Sequence, residues 1–321
     1  MLKRVGTLTF ALVLVLALVS TSALAGAEFD QEALIKPIDR TLRFVFIAKS
    51  IHPWYDVVRD GAQYAIDEFA KMGIKIEMGW DSPPVAEITE HIKKIESNIA
   101  ARPDGLAVAA LDPATNAQII NDAVRAGLNV VTFDTDAPES ERASYIGHAG
   151  NFEDGFDLGE FLAEEIGYKG EVAVLSGTLS APNHVGRVEG FKAAMAQYPD
   201  IKVVTERADN DDLQKATDLT ESILQAFPDL KGIFGCNATN PIGAARAITA
   251  AGKAGQVKIV GMDDLPECLQ LVKDGTISAV KVQRQWEIGY WVVKYLVAMN
   301  EGHTIPKEHP TGSRILTKAD L

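Results

Sequence analysis

The chain has 321 residues, of which 47% are hydrophobic, which is enough for about two folded domains and excludes wholesale disorder. Its 44 acidic and 31 basic residues give a net charge of −13, so a nucleic-acid partner, which needs a basic surface, is not expected. Two cysteines, Cys236 and Cys268, are too few for a disulfide framework or a four-sulfur zinc site. The sequence leaves open whether they form one disulfide or remain buried thiols.

The first 25 residues have the pattern of a secretory signal peptide. Lys3 and Arg4 precede an apolar run at 10–19, and residues 23–25, Ala-Leu-Ala, supply a cleavage signal. The run is much shorter than the roughly 20 residues of a membrane-spanning helix. Residue 27 is alanine, where a lipoprotein would carry a cysteine. The sequence therefore predicts cleavage after residue 25 and a soluble protein in the periplasm.

From residue 40 onward, short apolar or β-branched runs alternate with segments of helical period. The ten predicted strands are 42–48, 74–78, 105–109, 129–133, 144–147, 171–175, 202–205, 232–234, 257–260 and 277–282. Between them, apolar residues recur at helical spacing, as Ile88, Ile92, Ile95 and Ile99 do. This alternation is typical of α/β folds with parallel sheets.

Ten strands are too many for one sheet of ordinary width, so we predict two doubly wound parallel-sheet lobes. The alternation lapses at 134–142, which places the lobe boundary near residue 148. The chain is expected to cross between lobes near 147–149, 283–285 and 306–310, which makes a three-segment hinge. The N-terminal lobe then comprises 41–147 plus 285–307, and the C-terminal lobe comprises 148–284 plus 308–321.

Polar and aromatic residues follow the strands at their carboxyl ends, where doubly wound lobes bind ligands. The candidate ligand-binding residues are His52, Trp54, Tyr55, Asp134, Thr135, Asp136, Arg187, Asn210, Asn237, Asp263 and Gln283. Aspartate and asparagine at such positions also cap helices, but arginine, glutamine and an aromatic pair do not. Carboxylates, guanidinium and amides together match sugar hydroxyls, and aromatic rings match the C–H faces of a sugar. The set predicts a polyhydroxylated small molecule as the ligand.

Six segments carry a family resemblance: HPWYDVVRDGAQ (52–63), DGLAVAALDP (104–113), NVVTFDTDAP (129–138), GRVEGFKAA (186–194), FPDLKGIFGCN (227–237) and VGMDD (260–264). Over residues 43–305 the chain resembles the ribose-type periplasmic sugar-binding proteins that feed ABC importers. The resemblance implies that Trp54 and Tyr55 enclose the sugar and that His52 makes a polar contact. It also implies that the sugar is bonded by Asp134, Arg187, Asn237, Asp263 and Gln283. A membrane permease is the implied partner, and a monomer without cofactor is expected.

Three departures from the family pattern leave the identity of the ligand open. Thr135 follows Asp134 where ribose binders carry arginine, Asn210 stands where an aromatic residue is expected, and the segment 145–155 is one residue longer. These departures argue against ribose and leave open a different pentose or hexose, a sugar alcohol such as inositol, and a sugar-like signal molecule.

Two other classes of protein are alternatives to a binding protein. Asp134 and Asp136 mimic the D-x-D signature of aspartyl-phosphate phosphatases, with Asp263 and Asp264 as metal-binding acids, but Pro138 lacks the hydroxyl of that signature. A sugar-responsive repressor would begin with a helix-turn-helix, not an export signal. Dinucleotide, P-loop and nucleophile-elbow motifs are absent, and the six histidines are scattered. We therefore predict no enzymatic activity, and the phosphatase remains the alternative.

Overall fold

A computed structural model describes residues 37–321, and the predicted signal peptide lies outside that part of the chain. Its strands are β1 (Leu42–Ile47), β2 (Ile76–Trp80), β3 (Gly105–Val108), β4 (Val130–Phe133), β5 (Ser144–Gly147), β6 (Gly170–Ser176), β7 (Ile201–Ala208), β8 (Leu230–Gly235), β9 (Lys258–Met262), β10 (Ala279–Gln283), β11 (Glu308–Pro310) and β12 (Ser313–Thr317). Its helices are α1 (Trp54–Lys71), α2 (Ile88–Ala101), α3 (Pro113–Arg125), α4 (Asn151–Glu165), α5 (Pro182–Met195), α6 (Leu213–Ala226), α7 (Asn240–Ala250), α8 (Pro266–Asp274) and α9 (Gln285–Glu301), followed by a 3-10 turn at Lys318–Asp320.

The strands form two six-stranded sheets, one in each lobe. The first sheet has the order β11-β5-β4-β3-β1-β2, and the second has the order β12-β10-β9-β8-β6-β7. All pairs of the first sheet are parallel, whereas in the second β12 runs antiparallel to β10. In each sheet the strand order reverses at the first strand, β1 or β6, and ligands bind at such switch points. The predicted fold class of two doubly wound α/β lobes is confirmed.

The ten predicted strands are all present, and their ends shift by a few residues. In β3 and β4 every residue is buried, because helices cover both faces of a parallel sheet and continuous apolar runs result. Two further strands, β11 and β12, have no such run, since each lies at the edge of its sheet. Only Leu316 of β12 is fully buried, and β11 has no buried residue.

The chain passes between the lobes after β5, after β10 and after β11. Helix α4, which follows β5, packs in the second lobe, and helix α9, which follows β10, packs in the first. The third crossing differs from the prediction, which places residues 308–321 in the C-terminal lobe. Strand β11 instead pairs with β5 of the first sheet, so the chain crosses between Pro310 and Ser313. This pairing satisfies backbone groups that an exposed edge of β5 would leave open.

Each lobe has its own apolar core on the faces of its sheet. In the first lobe Phe46 and Phe133 pack edge to face beneath α1 and α9, and in the second Phe191 stacks on Phe234 with ring centroids 4.4 Å apart. Ala238 of the second lobe joins the core of the first, so the lobes are in contact across the cleft. None of the helices described is long and apolar enough to cross a membrane.

Candidate functional site: an enclosed cleft between the lobes

A cavity between the lobes collects most of the candidate residues. It encloses about 420 Å³ of empty space, its mouth included. Its walls are Lys49, Ser50, His52, Trp54, Tyr55 and Asp134 from the first lobe, and Asn183, His184, Arg187, Asp211, Asn237, Ala238, Asp263 and Gln283 from the second. The cavity therefore lies at the carboxyl ends of strands from both sheets.

Three carboxylates of the cavity sit on left-handed backbone close behind strands. Asp134 follows β4, Asp211 follows β7 and Asp263 follows β9, with φ values of 59°, 64° and 67°. Aspartate tolerates this region better than most residues with a side chain. Such conformations still cost on the order of 1–3 kcal/mol, and they cluster at functional sites where the surrounding structure enforces them.

Asp134 is held by three groups of the first lobe. The Tyr55 hydroxyl donates to Asp134 Oδ2 over 2.7 Å, and Lys49 Nζ lies 3.1 Å from the same oxygen. The Tyr145 hydroxyl donates to the backbone carbonyl of Asp134 and lies 3.1 Å from that of His148 in the hinge. Burial and the adjacent Asp134 charge raise the pKa of Tyr55, so its hydroxyl remains a donor at neutral pH. The carboxylate is thereby fixed in place.

Arg187 is the most unusual side chain of the second lobe. It is 2% exposed, and its one hydrogen bond within residues 37–321 goes from Nη1 to the carbonyl of Cys236, at 3.2 Å. Its Nε and Nη2 atoms are buried without a partner. A buried guanidinium with free donors is costly. The two donors are therefore available to a ligand.

Asp263 lies in the same wall and accepts a 2.9 Å hydrogen bond from Gln283 Nε2. Burial raises the pKa of Asp263 to about 6, against the opposing charge of Arg187. The Trp54 indole N–H is close enough to lower that pKa but makes no well-directed hydrogen bond. This carboxyl group is therefore mostly ionised at neutral pH and becomes protonated as the pH falls through about 6.

Two histidines face each other across the lobes. The backbone N–H of Trp54 donates to His52 Nδ1, and that of Thr178 donates to His184 Nδ1, at 3.1 and 2.9 Å. Burial lowers the pKa of both imidazoles, that of His184 to about 4, so both rings are neutral near pH 7. A neutral ring that accepts at Nδ1 carries its proton at Nε2. Each histidine thus offers an N–H donor.

Asp211 lies among these groups and remains charged. Burial opposes its ionisation, but His184, Lys49 and His52 together hold the pKa of Asp211 below its ordinary value. His184 Nε2 is 3.9 Å from Asp211 Oδ1, and the Thr178 hydroxyl donates to Oδ2 over 3.4 Å. The second lobe therefore presents a carboxylate to the basic groups of the first.

Unpartnered polar atoms show what the cavity can bind. Among the residues described, buried atoms without a hydrogen-bond partner in the cavity are His52 Nε2, Trp54 Nε1, Asn183 Oδ1, Arg187 Nε and Nη2, and Asn237 Nδ2. Asn237 Oδ1 accepts from the backbone N–H of Asn240, so its amide also supports the start of α7 while Nδ2 stays free. The cavity combines free N–H donors with carboxylate acceptors, which suits a ligand that carries many hydroxyl groups.

Of the eleven candidate residues, eight line this cavity and three do not. Thr135 lies behind Asp134 and accepts a hydrogen bond from Lys49 Nζ at 3.2 Å. Asp136 accepts from Arg142 Nε and Nη2 and from the Thr132 hydroxyl, so its charge is neutralised outside the cavity. Asn210 is exposed on the left-handed turn after β7, and its neighbour Asp211 enters the cavity instead.

Six lining residues were not among the candidates: Lys49, Ser50, Asn183, His184, Asp211 and Ala238. Lys49 directly precedes the segment that contains His52, and Asp211 belongs to the acidic run 209–212, so strand-end position was an available signal. Asn183 and His184 lie in the first turn of helix α5, one turn before Arg187. They line the cavity because residues of both lobes meet around it.

The two cysteines are free and buried in different cores. Cys236 packs with Phe191 and Phe234, whereas Cys268 packs on the opposite side of the sheet with the cluster around Ile248. Burial raises the pKa of both thiols. The structure resolves the question left open by the sequence in favour of buried apolar side chains.

Within residues 37–321, no group of three or more His, Cys, Asp or Glu side chains is arranged to hold a metal ion. The two acids of the D-x-D pattern are engaged separately, Asp134 by Tyr55 and Lys49, and Asp136 by Arg142. Asp263 belongs to the other lobe. The geometry is therefore that of a polar binding cleft.

Comparison with known proteins identifies the class. The family model of the periplasmic binding protein domain matches residues 44–304, and the chain belongs to this family. It is similar to the D-ribose/D-allose-binding protein of Pseudomonas aeruginosa, with 27% identity over 87% of this chain and 88% of that protein. Among solved structures, an ABC transporter solute-binding protein from Burkholderia graminis in complex with D-arabinose has 31% identity and a TM-score of 0.83, covering 89% and 98% of the two chains. A glucose-galactose binding protein from Geobacillus stearothermophilus has 31% identity and a TM-score of 0.80, covering 88% and 99%.

These findings confirm the resemblance to ribose-type periplasmic binding proteins that the sequence motifs indicate. The phosphatase alternative built on Asp134 and Asp136 is not supported, since the relatives are binding proteins and the two carboxylates are already neutralised by basic neighbours.

Proposed function

We propose that the protein captures one sugar or sugar-like polyol between its lobes in the periplasm and delivers it to the membrane permease of an ABC importer. The observation that carries this proposal is the enclosed cavity in which Arg187, with two free donors, lies beside Asp263 and across from Asp134. Such mixed donors and acceptors satisfy hydroxyl groups, which both donate and accept.

The charges of the cavity favour a neutral ligand. Lys49 and Arg187 are balanced by Asp134, Asp211 and, above about pH 6, Asp263. A phosphate or carboxylate ligand would add negative charge where carboxylates already exceed cations, whereas a neutral polyol adds none.

Aromatic contact with the ring comes from the first lobe. Trp54 and Tyr55 pack edge to face at 5.0 Å in the first turn of α1, and both line the cavity. With Asn210 outside the cavity, these are its two aromatic lining residues apart from the histidines. We expect one apolar face of the sugar to rest on this pair.

The cation beside Asp134 also distinguishes this site from the ribose pattern. Thr135 replaces the arginine of ribose binders, and Lys49 reaches both Asp134 and Thr135 from the loop after β1. Since the cation arrives from a different strand, we expect the sugar hydroxyl pattern that binds best to differ from that of ribose. The names of the relatives, ribose, allose and arabinose binders, define the first sugars to test.

Localisation and partner are further parts of the proposal. The relatives are periplasmic binding proteins, which supports an extracytoplasmic location, and the signal-peptide pattern of residues 1–25 is consistent with it. The permease would recognise the lobes when they are closed over the sugar. We propose that the protein acts as a monomer and releases its ligand to the permease without chemical change.

A thermal-shift screen followed by calorimetry tests the function. D-ribose, D-allose, D-arabinose, D-xylose, D-galactose and myo-inositol form the panel, because a ligand that binds only the folded state raises the melting temperature. We expect at least one member to bind with one-to-one stoichiometry and to be recovered unaltered. Failure of every neutral sugar and polyol, or conversion of the bound sugar to a product, would overturn the proposal.

A further inference from the structure

A second cavity adjoins the sugar site on the hinge side of the cleft. It contains about 850 Å³ of empty space, its opening included, and Asp134 and Asn183 line both cavities. Ala149 and Asn151, which lie in the first crossing and at the start of α4, form its hinge-side wall. The second cavity therefore lies next to the sugar site and shares part of its wall.

The walls of the second cavity are mainly apolar and carry no cation. Pro113, Pro138, Pro182 and Tyr145 are among its lining residues. The acids present are Asp134, Asp136 and Glu308, and no lysine or arginine is among its lining residues. The lining therefore offers no cation to a phosphate or carboxylate group, whereas an uncharged group needs none.

Two amides of this cavity have unused hydrogen-bonding capacity. Asn183 is 5% exposed, and its Oδ1 is buried without a partner among the residues described, as is Oδ1 of Asn151. Unsatisfied buried polar atoms are uncommon in folded proteins and point to a ligand or to ordered water. Asn183 stands at the junction of the two cavities, where a ligand that spans both would pass.

We propose that the protein accepts a substituted sugar, with the sugar ring in the main cavity and an uncharged, largely apolar substituent in the second cavity. The ligand class is then a glycoside, in addition to a free monosaccharide. This inference rests on the proposed sugar-binding function and specifies the substrate range of the same cleft. In a binding protein that encloses only one ring, a bulky substituent would prevent closure.

Calorimetry with matched pairs of probes tests the inference. Each sugar, D-ribose, D-allose, D-arabinose, D-xylose and D-galactose, is compared with its phenyl β-glycoside. For at least one pair we expect the glycoside to bind within about tenfold of the free sugar, a difference of roughly 1.4 kcal/mol or less. If a free sugar binds and no glycoside does, the inference is wrong while the proposed function stands. If no sugar and no glycoside binds, the inference is wrong, and the proposed function is wrong as well unless myo-inositol binds.

A variant that fills the second cavity locates the substituent. Ala149 is exposed, so Ala149→Trp adds bulk at the second cavity without disturbing a core. We expect it to weaken glycoside binding by at least about tenfold more than it weakens binding of the free sugar, an overpacking cost at the lower end of the usual range. The smaller side chain of Ala149→Leu should also weaken glycoside binding more than sugar binding, but to a smaller degree.

The control is Ala251→Trp, at an exposed residue that follows α7 and lines neither cavity. Equal glycoside affinity in the Ala149 variants and the control would show that the substituent lies elsewhere, which overturns the inference.

Discussion

At the scale of single residues, the site depends on groups that the fold buries without satisfying. Arg187 carries a full charge in an enclosed cleft, and no carboxylate lies within salt-bridge distance of it among the residues described. A sugar that accepts from its Nε and Nη2 atoms would remove this cost on binding. We therefore expect Arg187 to contribute more to affinity than an exposed arginine could.

Replacement of Arg187 tests that argument. We expect Arg187→Ala to weaken sugar binding by about 2–5 kcal/mol, roughly 30-fold or more, because buried acceptors of the ligand lose a charged donor. The matched control is Arg246→Ala, since Arg246 is exposed and pairs with Glu267 over 2.7 Å away from the cleft. Calorimetry with the best sugar of the panel measures both. Retained affinity in Arg187→Ala would remove this residue from the site.

We expect sugar binding to depend on pH through Asp263. Its carboxylate accepts hydrogen bonds, and burial raises its pKa to about 6. Protonation would cost an acceptor, so we expect affinity to be highest above pH 6 and to fall toward tenfold per pH unit below that value. Calorimetry between about pH 5 and pH 8 measures this change. Asp263→Asn should bind weakly throughout and show no transition near pH 6, whereas equal affinity of the native protein at pH 5 and pH 7 would contradict the assignment.

The effect of Asp263 on the stability of the free protein depends on pH in the opposite direction to its expected effect on sugar affinity. The pKa of Asp263 in the folded state lies above the value of about 3.9 in an unfolded chain, so the folded state binds the proton more tightly. The contribution of this group to stability is complete below about pH 4 and is lost as the pH rises through 6. Ionisation of Asp263 at neutral pH thus lowers the free energy of unfolding of the free protein, while it leaves a carboxylate that can accept hydrogen bonds from a ligand.

At the scale of elements, each lobe is built on a pair of helices in very close contact. In the first lobe, α1 and α9 approach so closely that a Cβ on Gly289 would lie 1.8 Å from the carbonyl oxygen of Val58. In the second, a Cβ on Gly190 of α5 would lie 1.9 Å from the carbonyl oxygen of Phe152 on α4. Helix α5 also carries Arg187. The close contact at Gly190, the second glycine of the GRVEGF segment, therefore determines the position of the Arg187 guanidinium group.

We expect Gly190→Ala to lower the free energy of unfolding by about 1–3 kcal/mol, despite the better helix propensity of alanine, because the helices must separate. Sugar affinity should fall with it, since Arg187 moves with α5. The control is Gly186→Ala in the same helix, where the added Cβ would lie 3.2 Å from a single side-chain atom, Asn151 Cβ. Denaturant unfolding and calorimetry measure the two effects. An unchanged unfolding midpoint in Gly190→Ala would refute the close contact.

At the scale of the whole molecule, the lobes enclose a site to which each contributes. Tyr55 and Asp134 come from the first lobe, and Arg187 and Asp263 come from the second, and all four are buried. A ligand can enter only when the lobes separate, and one that contacts both lobes favours closure by its differential affinity for the closed state. The three crossings, after β5, β10 and β11, are the segments where the chain bends.

Small-angle scattering measures this closure. We expect a saturating concentration of the best sugar to reduce the radius of gyration of the protein, because the cleft closes over the ligand. Arg187→Ala at the same sugar concentration is the control, since it should bind too weakly to close. An identical scattering curve with and without bound sugar would mean that the ligand does not drive closure.

Much of this architecture is visible in the sequence because the physical signal is local. Buried parallel strands appear as short apolar runs, and the residues that follow them lie at one edge of the sheet whatever the details of packing. For this reason the positions of Trp54, Asp134, Arg187 and Asp263 in the chain are enough to predict them as site residues. Strand β11 could not be predicted, because its three residues have no apolar pattern and pair with β5 only once both are in place.

The sequence by itself determined the two-lobed α/β class, the family and the polar chemistry of the strand ends. The tertiary structure alone decided which of two adjacent residues in the chain has its side chain in the cleft. Left-handed backbone at both Asn210 and Asp211 brings Asp211, not Asn210, into the cavity, and Arg142 neutralises Asp136 away from it. Lys49 and Asn183 line the cavity because segments distant in the chain meet between the lobes. Residue type and spacing set what each segment can do, whereas orientation depends on contacts between segments that no local pattern encodes.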